Sequence, residues 1–67
     1  MHLEAIANMV KARRESLSVT QDTLAQLSGV AVRTLKQFES GKGNPTLQTL
    51  QKLGDALGLE ITFAIKN

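Results

Sequence analysis

The chain has 67 residues, of which 42% are apolar and only 3% aromatic, with no cysteine and a formal net charge of +2. That length builds one small domain whose core must be filled by Leu, Ile, Val and Ala, without disulfide staples or thiolate metal sites. No apolar run approaches a membrane span, and Met1-His2-Leu3-Glu4 lacks the basic and apolar regions of a signal peptide, so a cytoplasmic protein with no membrane partner is expected.

Leu3, Ile6, Ala7, Val10, Arg14 and Leu17 recur at helical spacing, which predicts an amphipathic first helix over residues 2–16. Thr20 is placed to cap a second helix, because its hydroxyl can accept from an unpaired amide one turn on. Asp22 then puts negative charge in the first turn, where the helix dipole favours it. This helix is expected to end near Ser28, with Leu24, Ala25 and Leu27 facing inward. Gly29 can take the left-handed geometry that stops a helix, and Val30 is expected to pack inward from the turn. A third helix over residues 32–39 would bury Leu35 and Phe38. Ser40-Gly41-Lys42-Gly43-Asn44-Pro45 is a loop by composition. Thr46 caps a fourth helix whose Leu47, Leu50, Leu53 and Leu57 form one apolar stripe, closed by Gly58.

The tail changes period. Leu59, Ile61, Phe63 and Ile65 alternate with Glu60, Thr62, Ala64 and Lys66, which reads as a β-strand. No second strand exists in the chain to pair with it, and an unpaired strand leaves its backbone groups unsatisfied. The same strand from a second copy, crossing a two-fold axis, is the expected partner, with Leu59, Ile61, Phe63 and Ile65 as dimerisation residues. A short fifth helix or a locally packed tail is the alternative.

Two short helices joined by a glycine turn form a helix-turn-helix, whose second helix can enter the major groove of DNA. Charge agrees with that reading. Residues 30–44 hold Arg33, Lys36 and Lys42 against Glu39, while the rest of the chain is balanced, so the whole positive excess falls on the third helix and its following loop. On such a helix Val32 can meet a thymine methyl, Arg33 can donate twice to guanine, and Gln37, one turn beyond Arg33, can pair with adenine. Thr34 and Lys36 are expected on the DNA backbone. So are Gln21 at the start of the second helix and Ser40, Lys42 and Asn44 in the loop. The plain alternative is a set of ordinary exposed polar side chains on a solvated basic face. Catalysis has no support: His2 is the sole histidine, no metal-ligand cluster is present, and Gly41-Lys42 lacks the rest of a phosphate loop. No cofactor is expected.

Thr20-Gln21, Leu24-Ala25, Gly29-Val30, Thr34-Leu35, Phe38-Glu39, Gly41-Lys42, Asn44-Pro45-Thr46 and Ala56-Leu57-Gly58 together resemble the signature of the phage-repressor-like, Xre or Cro type, helix-turn-helix family over residues 6–58. The resemblance implies an all-α DNA-binding domain of four to five helices, acting as a homodimer on double-stranded DNA at a palindromic operator. It also implies an ion pair between Arg14 and Glu39, which would lock the third helix against the first; two separate surface charges are the alternative. One departure is Ala31, where the family usually has Ser or Thr. Alanine cannot cap, a loss of about 1 kcal/mol, which increases reliance on dimerisation.

The tail is similar to that of antitoxins paired with Hip-type kinase toxins, whose short C-terminal strands join two subunits. The resulting expectation is a helix-turn-helix domain over residues 1–58 and a dimerising C-terminal β-strand over 59–67. Its role would be an autoregulating repressor, the antitoxin of such a module, with a Hip-type kinase toxin as partner. A stand-alone phage-type or housekeeping regulator and a protein-only adaptor are the alternatives.

Overall fold

A computed structural model describes residues 3–66; Met1, His2 and Asn67 lie outside the described residues. Four helices follow in order: α1 (Leu3–Ser16), α2 (Gln21–Ser28), α3 (Val32–Glu39) and α4 (Leu47–Leu57). Each boundary has a local cause. The Thr20 hydroxyl accepts from the Thr23 amide at 3.1 Å, and the Thr46 hydroxyl repeats the arrangement with the Thr49 amide at 3.1 Å. These caps satisfy amides that the first turn leaves without partners. α3 begins at Val32, and its N-cap residue Ala31 supplies no side-chain cap.

α2 stops at Gly29, whose φ of 75° is left-handed, and the Gly29 N–H donates back to the Ala25 carbonyl. α1 ends in the same geometry without a glycine. Ser18 stands at φ 56°, and the Val19 N–H reaches the Arg14 carbonyl at 3.1 Å. A serine there carries steric strain that glycine would avoid. At the end of α4 the Leu59 N–H reaches the Gly54 carbonyl at 2.8 Å. A Cβ on Gly54 would lie 2.8 Å from the Leu59 carbonyl oxygen, so the chain can fold back there only over a glycine.

The core consists of Ala7 and Val10 of α1, Leu24 of α2, Val30 from the turn, Leu35 and Phe38 of α3, and Leu53 and Leu57 of α4. Burying a side chain of Leu or Phe size contributes about 1.5–3 kcal/mol, so these few residues set most of the stability of so small a domain. Arg13 adds a long-range tie, its Nε donating to the Leu57 carbonyl at 2.9 Å, where a cation suits the C-terminal end of α4.

Three expectations are corrected. Leu27 is 66% exposed. The inward arc of α2 is Gln21, Leu24, Ala25 and Ser28, because Gln21 and Ser28 have hydrogen-bond partners that make their partial burial inexpensive. Leu47 and Leu17 are also exposed, Leu47 at the edge of the α4 arc and Leu17 beyond the last residue of α1. The tail forms neither a strand nor a fifth helix among the described residues. In a single chain there is no ladder to pair with residues 60–66, and Phe63 and Ile65 stand 80% and 93% exposed; Leu59 alone of the four alternating residues packs against the core.

Candidate nucleic-acid interface

α3 divides lengthwise into two surfaces. Leu35, Phe38 and Glu39 face inward and are buried, Val32 is half-buried, and Arg33, Thr34, Lys36 and Gln37 are exposed. Arg33 and Gln37 lie four positions apart, so both project from one side of the helix. The loop after α3 turns back along it. The Lys42 N–H donates to the Gln37 carbonyl at 2.9 Å, and the Ser40 hydroxyl donates to the same carbonyl at 2.8 Å. A shallow groove of about 130 Å³ results, in which Thr34 and Gln37 of the helix stand with Lys42 and Asn44 of the loop. Residues that were separate in sequence therefore share one surface with α3.

Beneath this surface lies a compact polar cluster. Arg14 Nε donates to Glu39 Oε2 at 2.8 Å and Nη2 donates to Oε1 at 2.8 Å, a two-point ion pair with both residues buried. Nη1 of the same guanidinium donates to the Val19 carbonyl at 2.8 Å. The Gln21 amide donates to Glu39 Oε1 at 3.0 Å. Burial pushes the Glu39 carboxyl up, but the Arg14 and Gln21 hydrogen bonds and the charges of Arg14 and Lys11 outweigh it and hold the group below the usual glutamate range. The hydrogen bonds to Glu39 likewise raise the Arg14 guanidinium, against the opposing effect of burial. Among the described residues no buried side-chain nitrogen or oxygen lacks a partner.

The cluster ties three elements together: α1 through Arg14, the start of α2 through Gln21, and the end of α3 through Glu39. It also changes the surface charge. Because Glu39 is buried and neutralised by Arg14, the exposed part of residues 30–44 carries Arg33, Lys36 and Lys42 with no acidic side chain among them. Sequence reading missed the contacts of Gln21 and Arg13. Gln21 was expected to face DNA, yet its carboxamide is half-buried and turned to Glu39. Neither contact has a local signal, since the partners lie 18 and 44 positions away.

A helix-turn-helix family model matches residues 10–63. The chain belongs to the helix-turn-helix family of Xre/Cro type. Three of its relatives are named as transcriptional regulators. It is 36% identical over 58 residues to the cryptic phage CTXphi transcriptional repressor RstR of Vibrio cholerae, covering 87% of this chain and 48% of that protein. It is 33% identical over 57 residues to the SPbeta prophage-derived uncharacterized HTH-type transcriptional regulator YonR of Bacillus subtilis, covering 85% and 53% respectively. An uncharacterized HTH-type transcriptional regulator of Sinorhizobium fredii, y4dJ, is 38% identical over 53 residues, which are 79% of this chain and 68% of that one. The chain spans about half the length of the first two of these relatives. No helix among the described residues is long and apolar enough to cross a membrane.

Proposed function

We propose that this chain is a sequence-specific transcriptional repressor that binds a palindromic operator as a homodimer, each copy reading one major groove with Val32, Arg33 and Gln37. The carrying observation is the division of α3: its inner side is fixed by Leu35, Phe38 and the paired Glu39, and its outer side presents exposed Arg33 and Gln37, with Lys36 on the helix and Lys42 in the following loop as two further uncompensated cations. A rigid mount and a free basic surface are what base reading requires. Thr34, Lys36, Ser40, Lys42 and Asn44 serve as phosphate contacts. Gln21 serves through the amides at the start of α2, because its side chain is occupied by Glu39. Two-fold symmetry sets the half-sites about 34 Å apart.

Within this reading the stand-alone phage-type regulator is preferred to the antitoxin. Two of the relatives are named as phage or prophage proteins. The antitoxin reading draws only on the alternation of the tail, which serves dimerisation equally well without a toxin. The test is selection of bound DNA from a random duplex library, followed by footprinting at moderate salt. A palindromic consensus with half-sites one helical turn apart is expected. No enriched sequence, from a protein that is helical by circular dichroism, would refute the reading.

A further inference from the structure

The loop after α3 is fastened to the last turns of that helix. The Ser40 N–H donates to the Lys36 carbonyl at 3.1 Å, the Gly41 N–H to the Phe38 carbonyl at 3.0 Å and the Lys42 N–H to the Gln37 carbonyl at 2.9 Å. Its far end is fixed by the Pro45 ring and by the Thr46 cap of α4. Two glycines in the loop share one left-handed backbone conformation, with φ of 82° at Gly41 and 83° at Gly43. Their surroundings differ. A Cβ on Gly41 would meet nothing within 4 Å, whereas one on Gly43 would lie 3.8 Å from Gln37 Cβ and 3.9 Å from Gln37 Oε1. Gly43 therefore stands beside both the root and the tip of the Gln37 side chain, in the groove that they share with Thr34, Lys42 and Asn44.

We propose that Gly43 is a positioning residue for base recognition, its bare Cα forming the wall along which the Gln37 carboxamide is aimed. The proposal rests on the reading of Gln37 as a base contact and names what sets its direction. Gln37 is exposed and its side chain has several rotatable bonds, so an unguided carboxamide would have to be ordered at the moment of binding. Two hydrogen bonds to one base edge form only from a narrow range of side-chain positions. The wall at Gly43 removes part of the rotamer range before DNA arrives. It has no side-chain polar atom, so it occupies neither the donor nor the acceptor of the amide. A Cβ there would already be in contact, and the further atoms of a longer side chain would compete with Gln37 for the same groove. Because the same loop carries Lys42 and Asn44, one fastened segment sets both phosphate contact and base reading.

Gly41 supplies the control. Asn accepts left-handed backbone more readily than most residues. Gly43→Asn and Gly41→Asn therefore place one side chain on matched backbone geometry, and only the first stands beside Gln37. The measurement is relative binding of the full chain to duplexes carrying each base at each position of its selected site. Gln37→Ala identifies the position that Gln37 reads. At that position Gly43→Asn should lower the preference for the selected base by about fivefold or more. Gly41→Asn should leave it unchanged, and Gly43→Asn added to Gln37→Ala should cause no further loss there. An unchanged preference in Gly43→Asn, an equal loss in Gly41→Asn, or a further loss in the double variant would overturn the proposal. Nuclear magnetic resonance of the natural chain tests it without any variant. Overhauser contacts from the Gly43 Hα protons to the Gln37 side chain, with one dominant χ1 rotamer of Gln37, are expected; rotamer averaging without those contacts refutes the wall. If Gln37→Ala alters no base position, the base-contact reading fails and the proposal with it. A preference lost in Gln37→Ala but kept in Gly43→Asn refutes the proposal alone.

Discussion

On its inner side α3 buries Leu35, Phe38 and Glu39, and the Glu39 carboxylate is held by Arg14 and Gln21. On its outer side the same helix exposes Arg33, Lys36 and Gln37, whose side chains make no hydrogen bond among the described residues. Eight residues thus carry two tasks without sharing side chains. The inner set fixes where the helix lies, and the outer set is free to meet a ligand. Changes on one side should alter folding, and changes on the other should alter binding.

The largest expected effect is inside. Arg14→Ala strands a buried carboxylate and should cost about 3–5 kcal/mol of stability, read from denaturant unfolding. An unchanged midpoint would mean that the ion pair does not hold α3. The pair also sets a pH signature. Since the folded Glu39 carboxyl lies below its unfolded value, its contribution is complete above about pH 4.3 and is lost as pH falls through the lower folded value. Acid titration by circular dichroism should show that decline in the natural chain.

Outside, Arg33→Ala should leave unfolding unchanged while weakening specific DNA binding by about 1–3 kcal/mol and relaxing preference at one base position. Equal weakening on all sequences would instead make Arg33 a phosphate contact. At the leading edge, where the two sides meet, Ala31→Ser should add the missing cap and raise stability by about 1 kcal/mol, measured by thermal unfolding. The smallest effect is expected from Lys42→Ala, which should reduce the slope of log affinity against log salt by about 1 with little change in base preference.

Much of the fold was legible because its signals are local. Thr20 and Thr46 cap, Gly29 and Gly58 stop helices, and Leu24, Leu35, Phe38, Leu53 and Leu57 fall on their predicted faces. Leu27 and Leu47 misled because hydrophobicity says that a side chain gains from burial, not that a neighbour is in place to bury it. On α2 the better places go to Gln21 and Ser28, whose partners come from α3 and from the helix's own last turn. The alternation of the tail predicts a strand, but none forms among the described residues, because one copy offers no ladder to pair with residues 60–66.

By itself, then, the sequence determined where α2 and α4 start and stop and which residue types line α3, since capping, glycine geometry and periodicity act within a few positions. Only the tertiary structure decided that Gln21 belongs to Glu39, that Arg13 closes α4, and that the basic surface is free of acidic charge. Those outcomes depend on groups brought within hydrogen-bond distance from 18, 25 and 44 positions away, a separation no local pattern encodes.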